Sequence, residues 1–392
     1  SHASSKASRI PSTTNGNKMN FTKTFTMCFA LAASTVFAQP QAATTDSTAT
    51  QPAAEQAAGE SLTIIGVGDI MMGLNYPDEK PALPTQDGEL TFSEVKDILR
   101  DADLTTGNLE GTLLNKGGLP KPCCRVTKKS GNCYCFRSPE HYTKHLLDAG
   151  FDYVSVSNNH SGDFGNEGKI GTMRALNEAN LAYAGFENSC EQRILELNGV
   201  RYGFASFSVS SGTLTVFNTE KAKKTIAALR DSTDIIIVTM HVGAEGSKYT
   251  HVTRETETFL GDNRGNPYQF ARLAIDAGAD VVFGHGPHVP RAIDLYKGKF
   301  IAYSLGNFAT STSVNITGVT GYAPIVKITV DKKTGNFKEG QIYSFIQRGN
   351  NGDRKPTRDD KGACIKLMKE LTEQDIPEAG VKIADDGKIT LK

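Results

Sequence analysis

Of the eight histidines in the sequence, His241, His285 and His288 each end or closely follow a short apolar run. The other ligand-type residues sit in the same way: Asp69 after LTIIGVG, Asn108 and Glu110 at the end of DLTTGNLE, and Asn159 and His160 after FDYVSVS. Together they form a set of hard oxygen and imidazole donors without a thiolate, a composition suited to one or two divalent ions such as Mn, Zn or Fe. No single member carries this reading. Asp69 also suits the cap of a turn, and Asn159-His160 suits a turn with a satisfied histidine. The most pointed piece is His285-Gly286-Pro287-His288, because Gly and Pro fix a tight loop that presents two imidazoles three residues apart.

Donors this far apart in sequence converge only if the strands that carry them lie side by side. In open α/β sheets the crevice outside the strand ends is where ligands bind. The chain has the required alternation. Helical patterns in FSEVKDILRDA, SPEHYTKHLLDAG, NEGKIGTMRALNEAN, KAKKTIAALRDS, NPYQFARLAIDAGA and ACIKLMKELTEQ separate the apolar runs. Asn198-Gly199 and Lys297-Gly298 mark hairpin turns, and APIVKITVDKKTGNFKEGQIYSF reads as a final hairpin. The fold class is therefore α/β with mixed sheets, in one compound domain over 61–392.

The 392 residues carry 43 basic and 43 acidic side chains. A net charge of zero lacks the basic excess of a nucleic-acid binder, so no nucleic-acid partner is expected. Residues 1–18 are polar and aperiodic and read as a leader or residues foreign to the fold. Residues 19–38 combine flanking lysines, the apolar run FTMCFALAASTVF and the end Val36-Phe37-Ala38, which predicts a secretory signal peptide and a periplasmic or envelope location. An uncleaved segment anchoring the protein in the membrane is the alternative. Residues 39–60 are an Ala/Thr/Gln/Pro-rich linker. Six of the seven cysteines follow it, and four of them, Cys123, Cys124, Cys133 and Cys135, cluster in an insertion over 115–137. Disulfides suit an exported chain, and a zinc site is the alternative, although the spacing does not match two C-x2-4-C pairs.

The motifs GVGDIMMG (66–73), DLTTGNLEGTLL (103–114), FDYVSVSNNHSGDFGNEG (151–168), VTMHVGAEG (238–246), AGADVVFGHGPHVPRAID (277–294) and IAYSLGNF (301–308) appear in order. In this the sequence resembles the capsule-synthesis CapA, or PgsA-type poly-γ-glutamate synthesis, proteins of the calcineurin-like metallophosphoesterase superfamily. The resemblance implies a four-layer αββα sandwich with metal at the edge of the two sheets. It also implies Asp69, Glu110, Asn159, His241, His285 and His288 as ligands, and His160 as the unliganded imidazole beside the leaving group.

Physical chemistry gives those roles content. Asp69 or Glu110 is the natural bridge between two cations, and His160 is placed to protonate a leaving oxygen as general acid. Asn108 and Arg137 are assigned to substrate binding, Arg137 through its fork of donors, with a surface salt bridge as its alternative. Asp163 either orients His160 or serves a turn, and Asn307 reads as a residue that satisfies backbone. Two departures from the superfamily pattern stand out. Met71 replaces the His of Asp-x-His, and Gly-His-Gly-Pro-His replaces Gly-His-x-His. The resulting expectation is a metal-dependent hydrolase or transferase acting on an anionic polymer, a phosphoester or an amide, within or beside a membrane synthase complex. The competing functions are a non-catalytic envelope scaffold and a polymer-binding module.

Overall fold

Alternation along the strand Ser61–Met71 sends its two faces into different cores, because successive strand side chains point to opposite sides of a sheet. Leu62 and Ile64 join one apolar cluster, and Ile65 and Val67 join the other. The neighbouring strands repeat the division, with Tyr153 on the first side and Val154 on the second. The computed structural model describes residues 61–125 and 133–392. The leader, signal-peptide and linker readings of residues 1–60 lie outside the described residues.

Two sheets, of nine and seven strands among the described residues, make the middle of the molecule. In the first, Ser61–Met71 runs parallel to Leu104–Leu109 and to Asn307–Thr310 and antiparallel to Ile325–Asp331. In the second, Ile235–His241 lies between Val200–Ser208 and Val281–His285, all parallel. The sheets meet where Tyr153 stacks on Phe204, ring centroids 3.9 Å apart, and its hydroxyl pairs with Ser206 Oγ at 2.5 Å. Leu146, Ala175 and Leu176, from the helices Thr143–Ala149 and Gly165–Glu178, cover the outer face of the first sheet. Ile226, Phe270 and Ala271, from Thr219–Ala227 and Pro267–Asp276, cover the second. The order of layers is helix, sheet, sheet, helix, the αββα sandwich expected.

Three local expectations are revised. FSEVKDILRDA yields only a one-turn helix, Lys96–Leu99, with Phe92, Val95 and Leu99 as separate core anchors. Ser138 does not cap the next helix. Its Oγ donates to Gly73 O at 2.6 Å, and a 3-10 turn, Glu140–Tyr142, precedes Thr143. The hairpin at 325–343 is not the last, since Val381–Ile383 and Lys388–Leu391 extend the first sheet beyond it. No described helix is long and apolar enough to cross a membrane.

Asp152, which enters the strand Tyr153–Ser155, accepts from Thr105 N at 2.8 Å. Burial pushes its pKa up to about 6 despite that bond. A raised carboxyl pKa favours the neutral form in the fold, so stability falls as pH rises from near 4 through 6. Asp152→Asn keeps an acceptor for Thr105. It should match the wild type near pH 4 and exceed it by about 1–3 kcal/mol above pH 7, read by urea unfolding at each pH. A difference that does not grow over that interval contradicts the assignment.

Candidate metal centre

Strand register brings the donors together. Asp69 lies opposite Asn108 on one side and Asn307 on the other, and His241 lies opposite His285. The pairing of the first strand shifts between Gly66 and Asp69, which re-aims Asp69. A Cβ on Gly68 would fall 2.0 Å from Gly306 O, so only glycine allows this close crossing, and Asp69 N then donates to the same carbonyl at 2.9 Å. Gly286, at φ +111, has a comparable reason: its Cβ would meet Val242 N at 2.9 Å. The following Gly-Pro turn leaves His288 at φ +58 and aims its ring back at the first sheet.

His288 Nδ1 lies 2.9 Å from Asp69 Oδ2 and 3.0 Å from Asn307 Oδ1, and His285 Nδ1 lies 3.4 Å from Asp69 Oδ1. His288 Nε2 is 3.6 Å from Glu110 Oε1. One donor atom each from Glu110, His241 and His288 falls within 4.8 Å of the others. Five buried polar atoms around this point have no hydrogen-bond partner: Glu110 Oε1, Asn159 Oδ1, His241 Nε2 and both ring nitrogens of His285. Orphaned buried acceptors are rare and call for an explanation. The structure thus gathers Asp69, Glu110, Asn159, His241, His285 and His288 in one place.

Electrostatics divides the carboxylates. Burial works to raise Asp69, but the neighbouring rings of His285 and His288 outweigh it and hold the group well below its ordinary range. Glu110 is driven well above its own, by burial first and then by Asp69's charge. Burial depresses His241. Burial also opposes a charge on His288, yet Glu110, Asp69 and Glu245 lift it to about 10.

His160 stands at the rim of the group. Its Nδ1 is 2.7 Å from Asp163 Oδ2, its Nε2 is 3.9 Å from Glu110 Oε1, and its ring stacks on Phe136 with centroids 3.9 Å apart. Asp163 therefore orients the imidazole. The same carboxylate accepts from Phe136 N at 2.7 Å and faces Lys121 Nζ at 2.7 Å. Asn307 spends its amide nitrogen on the carbonyls of His288 and Thr320 at 3.2 and 3.0 Å.

Two substrate-binding expectations are corrected. Arg137 is 2% exposed, and its Nε, Nη1 and Nη2 donate to Asn75 Oδ1, Gly117 O and Asn75 O at 2.7, 2.8 and 3.0 Å, with Asp78 as ion-pair partner. Its Nε and both Nη atoms are engaged by the protein, so it ties loops together. Asn108 is turned inward too. Its Nδ2 donates to Asp69 Oδ1 at 2.7 Å and its Oδ1 accepts from Asn158 Nδ2 at 3.1 Å.

Sequence reasoning missed three participants. Asn158 braces Asn108, Glu245 Oε1 accepts from Asn159 Nδ2 at 3.3 Å, and Arg264 pairs with Glu245 at 2.6 Å. Glu245, four residues after His241 in HVGAE, was the discoverable one. Of the clustered cysteines, Cys123 and Cys133 form a disulfide, and Cys124 Sγ lies 2.8 Å from Cys133 Sγ. Cys364 is a buried thiol elsewhere in the fold.

Residues 63–312 match the family described as bacterial capsule synthesis protein PGA_cap. The chain belongs to that family. The PGA_cap segment contains every donor above and stops short of the C-terminal hairpins. The chain is similar to the capsule biosynthesis protein CapA of Bacillus anthracis, at 30% identity over 269 residues, which cover 64% of this chain and 60% of that protein. It is also similar to the PGA biosynthesis protein CapA of Bacillus subtilis, at 29% identity, covering 62% of this chain and 61% of the other. It thus spans about three-fifths of the length of these relatives. Among solved structures, a novel phosphatase from Mycoplasma pneumoniae is 17% identical, with a TM-score of 0.46, covering 73% of this chain and 94% of that one.

The Asp163 contact predicts that neutral His160 carries its proton on Nδ1, leaving Nε2 bare on the Glu110 side. Long-range proton–nitrogen NMR should show that tautomer in the wild type and a mixture in Asp163→Ala. The same tautomer ratio in both would refute the orienting role.

Proposed function

We propose that this PGA_cap protein is an exported, metal-dependent hydrolase or transferase of capsule or poly-γ-glutamate synthesis, acting on an anionic polymer, phosphoester or amide. The observation that carries the reading is the ring of buried oxygen and imidazole groups left without hydrogen-bond partners, a donor set that fits a divalent cation. Asp69, Glu110, Asn159, His241, His285 and His288 would hold one or two divalent ions, Mn, Zn or Fe. A bound divalent ion supplies an activated water and neutralises charge developing on a substrate oxygen. His160 turns Nε2 toward Glu110 while Asp163 holds Nδ1, an arrangement that suits delivery of a proton from Nε2 to a leaving oxygen. Met71, 1% exposed and packed with Leu74 and Phe136, brings no hard donor where the superfamily has histidine, which favours one firmly held ion.

The Cys123–Cys133 bridge supports export, because disulfides persist in oxidising compartments. The names of the Bacillus relatives support the capsule and PGA biosynthesis setting. A membrane synthase complex is the partner we propose for it.

Elemental analysis of the purified chain beside His285→Ala and Glu110→Ala tests the site. The wild type should retain a divalent ion and each variant should lose it by about tenfold or more, in line with loss of a direct ligand. Equal metal in all three would sink the metal reading. With phosphodiester and γ-glutamyl substrates, His160→Ala should keep the metal and lose about 10²–10⁴-fold in turnover. Full metal content without turnover of either substrate by the wild type would leave a scaffold.

A further inference from the structure

Three arginines buried in or near this region differ in how many of their donors the protein uses. Arg137 engages its Nε and both Nη atoms as described. Arg291, 0% exposed, does the same. Its Nη1 and Nη2 meet Glu257 Oε1 and Oε2 at 2.8 and 2.9 Å, and Nε donates to Tyr249 O at 2.8 Å. Arg264 is different. Its side chain is 12% exposed, Nη2 meets Glu245 Oε1 at 2.6 Å, and the buried Nε has no partner. An unsatisfied buried guanidinium donor is costly unless something else occupies it.

The backbone around Arg264 is held tightly. Arg264 N donates to Glu257 O at 2.8 Å, and its carbonyl accepts from Gly243 N at 2.8 Å, two residues after His241. Glu257 also accepts from Ala244 N at 2.7 Å, so the Arg291–Glu257 pair fixes both the 243–245 loop and the segment bearing Arg264. The guanidinium lies 5.5 Å from the Phe259 ring centroid. Its position beside the donor ring is set by Glu245, which touches Asn159 Nδ2 at 3.3 Å and stands 4.0 Å from His288 Nε2. A pinned arginine with open donors next to a cation site is suited to recognising an oxyanion, since its planar fork matches carboxylate and phosphate geometry.

We propose that Arg264 is the substrate-oxyanion clamp of this site, its Nε and remaining Nη protons directed to a phosphoryl or carboxylate group of the substrate, with Glu245 as the counter-ion that holds it in position. The inference rests on the metal-site reading and adds the residue that would recognise the substrate's anionic group beside the donor ring. A phosphoester and a γ-glutamyl polymer share that chemistry.

The test uses the full chain, with its metal content measured, and two probes in separate titrations: inorganic phosphate and a γ-glutamyl dipeptide. Binding is read by calorimetry for the wild type, Arg264→Gln and Arg264→Lys. Arg264→Gln should retain the wild-type metal content and circular dichroism while weakening at least one probe by about tenfold or more. Arg264→Lys, a point charge without the fork, should fall between the two and serves alone if the glutamine variant does not fold. The probe that loses affinity identifies the source of the oxyanion. Unchanged affinity for both probes, or no binding of either by metal-containing wild type, overturns the clamp while leaving the metal site intact. A wild-type chain that holds no metal fails the underlying reading instead.

Discussion

Two carboxylates, Asp69 and Glu110, lie 0% and 3% exposed where the edges of two sheets meet, and the architecture around them answers that constraint. A buried charge costs several kcal/mol unless partners replace its water. Asp69 has such partners, in the amide of Asn108 and the ring of His288, and remains ionised. Glu110 Oε1 has none and is pushed toward its neutral form by the same burial and by Asp69 itself. One cavity thus holds an acid that is satisfied and another that is not. A cation would reverse the penalty on Glu110 and take up the orphaned nitrogens of His241 and His285 at once, which no rearrangement of hydrogen bonds among these residues accomplishes.

Asp163 is the hub of the opposite wall. It receives the ring nitrogen of His160 and the amide of Phe136 on one oxygen and faces Lys121 with the other. Phe136 in turn stacks on His160, and Cys135 precedes it directly, with its sulfur 3.9 Å from the Asp163 carbonyl. The cysteine-rich excursion is therefore tied at its exit to the group that orients the imidazole. Its disulfide closes a short loop and limits the conformations available to the entry and exit segments.

Much of the fold was legible because its signals are local. Apolar runs of strand length and the Asn198-Gly199 turn, with φ values of 50° and 75°, predicted elements that the structure contains. The donor ring was legible from position alone, since His241 and His285 each end a strand, Asp69 lies two residues from the end of its own, and register does the rest. What stayed hidden depends on contacts between loops. The segment 246–266 has no strand-length apolar run, yet its Glu257 and Arg264 close one side of the site. The last hairpin, Val381–Ile383 with Lys388–Leu391, was overlooked because its strands are only three and four residues long and gain stability from a sheet already formed. The four-residue helix at Lys96–Leu99 falls short of the expected element because a helical period over so short a stretch does not by itself overcome nucleation.

The assignment of Arg137 shows where residue type stops being informative. A sequence displays an arginine near candidate ligands, and its fork suggests anion recognition. Whether that fork is available depends on carbonyls and carboxylates contributed from elsewhere in the chain. For Arg137 these are Asn75, Gly117 and Asp78, and for Arg291 they are Tyr249, Ala244 and Glu257. Each set completes a structural tie. Arg264 reaches a single carboxylate that itself borders the donor ring, so its remaining donors are the ones left over when the fold is complete. Function in such a site is read from the valences that folding leaves unfilled where donors of one chemistry converge, as they do at Glu110, Asn159, His241 and His285.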